Sequence, residues 1–88
     1  MERLDGKRIV ITGGTSGMGE GVVRAFPALG AKVVFWGRNE AAGKKIAEET
    51  GAIFVKADVS DKATVDEAMK KSAEILGGID VLVHAAGI

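Results

Sequence analysis

The amino-acid sequence predicts an α/β fold in which four parallel strands are joined by three crossover helices. Three observations carry this prediction. Short runs rich in β-branched and aromatic residues recur at Arg8–Thr12, Lys32–Trp36, Ile53–Ala57 and Asp80–His84. Stretches with apolar residues at three- and four-residue spacing separate them. The connections are short, and alternating strand and helix with short links is the pattern of a parallel sheet with right-handed crossovers.

Each element has its own local grounds. Arg8-Ile9-Val10-Ile11-Thr12 closes on two glycines and reads as a strand buried on both faces, and the other three runs have the same style. The first helical stretch runs from about Ser16 to Leu29. Its Pro27 has no N–H to give the carbonyl of Val23, a defect of about 3 kcal/mol in a helix interior, so a kink or an early end is expected there. The second stretch, from Asn39 to Thr50, offers the thin apolar face of a surface helix, Ala42, Ile46 and Ala47, and ends at Gly51. In the third, Val65, Ala68, Met69, Ser72, Ala73 and Leu76 share one face, Ser60 or Asp61 caps the start, and Gly77-Gly78 ends it.

Composition narrows the partners. Twelve basic and twelve acidic side chains cancel, so no net field draws the chain to nucleic acid or to an anionic membrane. A small molecule becomes the expected partner. The chain has no cysteine, which excludes disulfides and thiolate metal sites. No apolar run approaches the eighteen or so residues of a membrane span, and no apolar signal segment opens the chain, so a cytoplasmic address is expected. Residues 1–88 read as one unit without linker, repeat or low-complexity segment.

Glycines cluster between the first strand and the first helix. Thr12-Gly13-Gly14-Thr15-Ser16-Gly17-Met18-Gly19 puts small residues where a backbone can approach an anion, and where amides and a helix N-terminus supply donors to a pyrophosphate. Glycines also serve turns and close packing, but a glycine turn between a buried strand and a helix, inside a βαβ unit, points to dinucleotide binding. The candidate residues in the turn are Gly13, Thr15, Ser16, Gly17, Met18 and Gly19.

The spacing T-G-x-x-x-G-x-G, filled by Thr12, Gly13, Gly17 and Gly19, resembles that of the short-chain dehydrogenase/reductase family. The resemblance runs the length of the chain. Asp58-Val59 matches the family's adenine-contacting position, and Asp80 to Ile88 matches its fourth strand and Asn-Asn-Ala-Gly turn, with His84 and Ala85 in place of the two asparagines. It implies a Rossmann-type, doubly wound sheet, a nicotinamide dinucleotide, and a ribose passing Ala85, Ala86 and Gly87. A six-stranded sheet of that kind would continue past Ile88, so the chain reads as a truncated version, a little over half. Val81-Leu82-Val83 would then form an apolar edge, and a homo-oligomer is expected to close it.

NAD readers commonly place a carboxylate about twenty residues past the glycine turn, at the end of the second strand. Gly37 stands there, followed by Arg38, whose guanidinium can clamp a 2′-phosphate. The pattern resembles the family's NADP-preferring members, and NADP(H) is the expected cofactor over NAD. Trp36 reads as core and not as an adenine stack.

In the resembled family a tyrosine, a lysine and a serine carry the proton transfer. This chain has no tyrosine. Lys44, Lys45, Lys70 and Lys71 fall on helix surfaces, and Ser16, Ser60 and Ser72 are accounted for by the turn, a cap and a helix face. His84 has the one side chain suited to acid–base work near neutral pH, but its place at the end of a strand reads as packed and hydrogen-bonded. No catalytic residue is assigned. The expected function is the dinucleotide-binding part of an NADP(H)-dependent oxidoreductase acting on a small carbonyl or alcohol, whose Ser-Tyr-Lys set and substrate pocket lie in other sequence. The alternative is a stand-alone nucleotide-binding or assembly module; a flavodoxin-like mononucleotide binder is disfavoured, because that fold does not require this glycine spacing.

Overall fold

The structure, a computed structural model, describes residues 4–13, 17–58 and 60–84. Strand β1 (Arg8–Thr12) is followed by helix α1 (Gly17–Ala25), β2 (Lys32–Gly37), α2 (Glu40–Thr50), β3 (Ile53–Lys56), α3 (Lys62–Leu76) and β4 (Val81–His84). The strands form one parallel sheet in the order β3-β2-β1-β4. This is the Rossmann-type order, in which the chain steps outward from β1 to β3 and then returns to pair β4 on the other side of β1.

The element ends follow from local chemistry. Helix α1 stops at Ala25, and Pro27–Leu29 forms a short 3-10 turn closed by Gly30 at φ 94°, so the proline produces the early end expected of it. Asn39 caps α2, its side-chain oxygen accepting from the Ala42 amide at 3.1 Å, and Gly51 closes the helix at φ 81°. Of the two candidate caps for α3, Asp61 takes the role, accepting from the amides of Ala63 and Thr64.

The reversal of direction after β3 puts helices on both faces. On one face Ile9, Ile11, Val33 and Phe35 pack with Val23 of α1 and Ile46 of α2. On the other, Val10, Val34, Trp36 and Val55 pack with Ala68 and Leu76 of α3. Alternate residues of β1 and β2 thus enter opposite cores, which is why these two strands carry almost unbroken apolar runs. Trp36, 1% exposed, donates its indole N–H to Ser72 Oγ at 2.9 Å, and that hydroxyl donates onward to the Ala68 carbonyl at 2.7 Å. The indole is therefore core, as its sequence context predicts.

Burial on both faces holds for β1 and β2 but not for β3 and β4. These are the sheet's two edges, and Ile53, Val81 and Leu82 are exposed. Sequence style does not distinguish an edge from a centre, because the next strand's presence is a property of topology. At the opposite end of the sheet from the glycine turn, Arg8 and Asp80 clamp β1 to β4. Arg8 Nη2 meets Asp80 Oδ1 and Arg8 Nε meets Oδ2, each at 3.0 Å, while Nη1 donates to the Gly77 carbonyl at 2.9 Å. Among the described residues no helix is long and apolar enough to cross a membrane.

Candidate functional site at the strand ends

Because the strands are parallel, their C-terminal ends lie along one edge, where doubly wound sheets bind their ligands. Thr12 and Gly13 end β1, Gly37 and Arg38 end β2, Asp58 follows β3, and His84 ends β4. Topology thus brings together residues from four separate parts of the sequence.

Gly13 has φ 74°, a backbone conformation natural to glycine and strained for a branched residue. Gly17 and Met18 open α1, and Gly19 is buried within its first turn. The residue that follows β1 is thus left-handed, and the helix that begins at Gly17 has first amides without intrahelical partners. Thr15, Ser16, Val59, Ala85, Ala86 and Gly87 lie outside the described residues.

Across the sheet, the Gly37 carbonyl accepts from the Ala57 amide at 3.0 Å, which extends the β2–β3 pairing to the last residue before Asp58. Arg38 and Asp58 are thereby held on neighbouring strand ends. Arg38 is exposed and forms no hydrogen bond or ion pair among the described residues. The Asp58 carboxyl lies below its usual range, first because its Oδ1 accepts from the Ser60 amide at 3.0 Å and the Ser60 hydroxyl at 2.7 Å, and further because of the Arg38 charge. Ser60 does not cap α3; its donors are spent on Asp58. The Asp-x-Ser spacing is the local signal for such a turn.

His84 is exposed on an edge strand and not packed into a buried one, which corrects the expectation for it, but it is hydrogen-bonded: its Nδ1 stands 2.9 Å from Oγ1 of Thr12. That bond ties β4 to β1 at the strand ends. Lys44 pairs with Glu40 at 4.0 Å, and Lys45, Lys70 and Lys71 are exposed on α2 and α3. None of these lysines stands at a strand end. Among the described residues no group of three or more His, Asp or Glu side chains could hold a metal ion. The edge brings together the N-terminus of α1, a guanidinium with no hydrogen bond among the described residues, and a carboxylate held below its usual range.

A model of the short chain dehydrogenase family matches residues 7–88. Among curated relatives, a 3-beta-hydroxysteroid dehydrogenase of Comamonas testosteroni is 46% identical over 88 residues, covering 98% of this chain and 35% of its own. Short-chain dehydrogenase reductase 5 of Arabidopsis thaliana is 41% identical over 90 residues, covering 99% and 35%. Among solved structures, a 3-ketoacyl-(acyl-carrier-protein) reductase from Brucella melitensis, complexed with NADH, superposes with a TM-score of 0.85 at 41% identity, covering 90% of this chain and 33% of that one. The chain spans about a third of the length of these relatives. From the glycine turn, the strand order and the match over residues 7–88, the chain belongs to the short-chain dehydrogenase family.

Proposed function

We propose that these 88 residues are the dinucleotide-binding part of an oxidoreductase that transfers hydride between NADP(H) and a small carbonyl or alcohol. The turn from Gly13 to Gly19 would cradle the pyrophosphate, Asp58 and Val59 the adenine, and Ala85, Ala86 and Gly87 the ribose. The observation that carries the choice of cofactor is Arg38: exposed, without a hydrogen-bond partner among the described residues, and directly after Gly37, where an NAD reader would present a carboxylate. A free guanidinium at this position suits a 2′-phosphate, which it can meet with two charge-assisted bonds. The Brucella melitensis relative was solved with NADH, which supports a nicotinamide dinucleotide as the class of ligand. The Ser-Tyr-Lys set of the family would come from other sequence of the parent protein, since the relatives are about three times as long.

Titration of the chain with NADPH, followed by nicotinamide fluorescence, tests this reading. Saturable binding is expected. Gly13→Val, which puts a branched residue at φ 74°, should abolish it while far-UV circular dichroism still reports a folded chain. A folded wild type that binds no dinucleotide would overturn the proposal.

A further inference from the structure

We propose that the outer edge of β3, with the flank of α3 beside it, is a twofold interface for a second copy of this chain. In a doubly wound sheet further strands are added beside β4, so β3 stays an edge in a longer chain as well. Two observations carry the choice of occupant: the backbone of the edge strand and the charges of the helix flank are self-complementary about one and the same axis.

The Ala57 amide donates to the Gly37 carbonyl of β2 at 3.0 Å, and alternation along the strand then turns the backbone groups of Phe54 and Lys56 away from β2. Facing no strand, they are the groups that an added strand would pair. Two copies of β3 laid antiparallel about Val55 set Phe54 of each opposite Lys56 of the other, and each such pair can exchange two backbone hydrogen bonds. Ile53, two residues before Val55, shares the α3 face of the strand. It is 44% exposed, and Ile75 on the same flank of α3 is 40% exposed, so the second copy has apolar surface to cover.

The helix flank repeats the symmetry of the strand. Between β3 and α3 runs an open groove of about 270 Å³, lined by Val55 and Lys56 of the strand and by Glu67, Ala68 and Lys71 of the helix. Val55 and Ala68 thus stand at one level of the groove. Glu67 and Lys71 are exposed and one turn apart, in the order that favours an i,i+4 pair, yet neither forms a hydrogen bond or ion pair among the described residues. As a crossover helix between parallel strands, α3 runs antiparallel to β3. An axis through Val55 therefore passes α3 beside Ala68 and Met69, midway between Glu67 and Lys71. Two helices related by that axis are antiparallel, and Glu67 of each faces Lys71 of the other. Such a contact is isologous, each residue meeting its counterpart's partner twice over, and it closes at two copies.

Sedimentation velocity of the full chain across micromolar concentrations tests this. A reversible monomer–dimer equilibrium is expected, weak as befits a small interface. Reversing one charge, Glu67→Lys or Lys71→Glu, puts like charges at both contacts and should weaken the dimer by about tenfold or more. The double variant Glu67→Lys/Lys71→Glu restores opposite charges and should recover the association of wild type. An equimolar mixture of the two single variants should form a heterodimer, because each flank then carries one sign only. Recovery in the double variant and in the mixture ties the loss to charge and not to folding. A chain that stays monomeric throughout would overturn the inference. So would association of equal strength in wild type and variants, as pairing through the exposed Val81 and Leu82 of β4 would give.

Discussion

The hydroxyl of Thr12 and the Nδ1 of His84, each at the C-terminal end of its strand, share a hydrogen bond of 2.9 Å that joins β1 to β4 beside the glycine turn. The two partners differ in their access to water. Thr12 is 3% exposed, whereas His84 is exposed. Losing the bond therefore costs differently according to which side is removed, because a buried polar group left alone keeps its full desolvation penalty.

His84→Ala strands the Thr12 hydroxyl and is expected to destabilise the chain by about 1–2 kcal/mol. Thr12→Val removes the buried hydroxyl and leaves an imidazole that water can serve, so its cost should be under about 0.5 kcal/mol. Urea denaturation of both variants checks the order. A larger loss for Thr12→Val than for His84→Ala would contradict this account of the bond.

A second prediction sets two helical glycines against each other. A Cβ on Gly21 of α1 would meet nothing within 4 Å, so Gly21→Ala gains helix propensity and should stabilise by about 0.5–1 kcal/mol. A Cβ on Gly43 of α2 would overlap the Phe54 ring, including Cγ, which rotation of the ring cannot move away. Phe54 is further held against Phe35, with ring centroids 5.4 Å apart. Overpacking of about 1–3 kcal/mol should outweigh the propensity gain, making Gly43→Ala net destabilising. Thermal melts of opposite sign relative to wild type are expected; a raised melting temperature for Gly43→Ala would show that β3 yields more easily than its pairing with β2 implies.

What the sequence made legible was what depends on local pattern. The four strands, the early end of α1 at Pro27, and the buried stripe of α3 through Ala68, Ser72 and Leu76 all follow from spacing and side-chain type, and the structure has them. The glycine turn was legible because its position between strand and helix is itself a sequence fact. What escaped was pairwise. Nothing in the chain pattern says that Trp36 would give its indole N–H to Ser72, thirty-six residues on, or that His84 would reach Thr12. Ser60 was legible as a polar residue before α3, and the Asp-x-Ser spacing allows its turn with Asp58, but a cap and an Asx-turn use the same residue types and only geometry chooses between them.

The Arg8–Asp80 clamp gives the fold a pH dependence with a definite sign. Hydrogen bonds from the Arg8 side chain, then its amide, lower the Asp80 pKa from 3.8 to about 2. A carboxyl whose folded pKa is depressed contributes stability above its unfolded value and loses it as pH falls through the folded one. The chain should therefore lose stability between pH 3.8 and about 2, and Asp80→Asn should be less stable at neutral pH yet flatter across that window. Denaturation midpoints collected across the window decide it: parallel pH profiles for wild type and Asp80→Asn would mean that the clamp is not the group that titrates.

If the strand-end edge holds a dinucleotide carrying a 2′-phosphate, isothermal titration calorimetry of wild type and Arg38→Ala with NADPH and NADH will show it. Wild type should bind NADPH more tightly than NADH by about tenfold or more, as one charge-assisted contact implies, and Arg38→Ala should erase most of that difference while leaving NADH affinity nearly unchanged. Equal affinities for the two cofactors in the wild-type chain, or a preference that survives in Arg38→Ala, would contradict it.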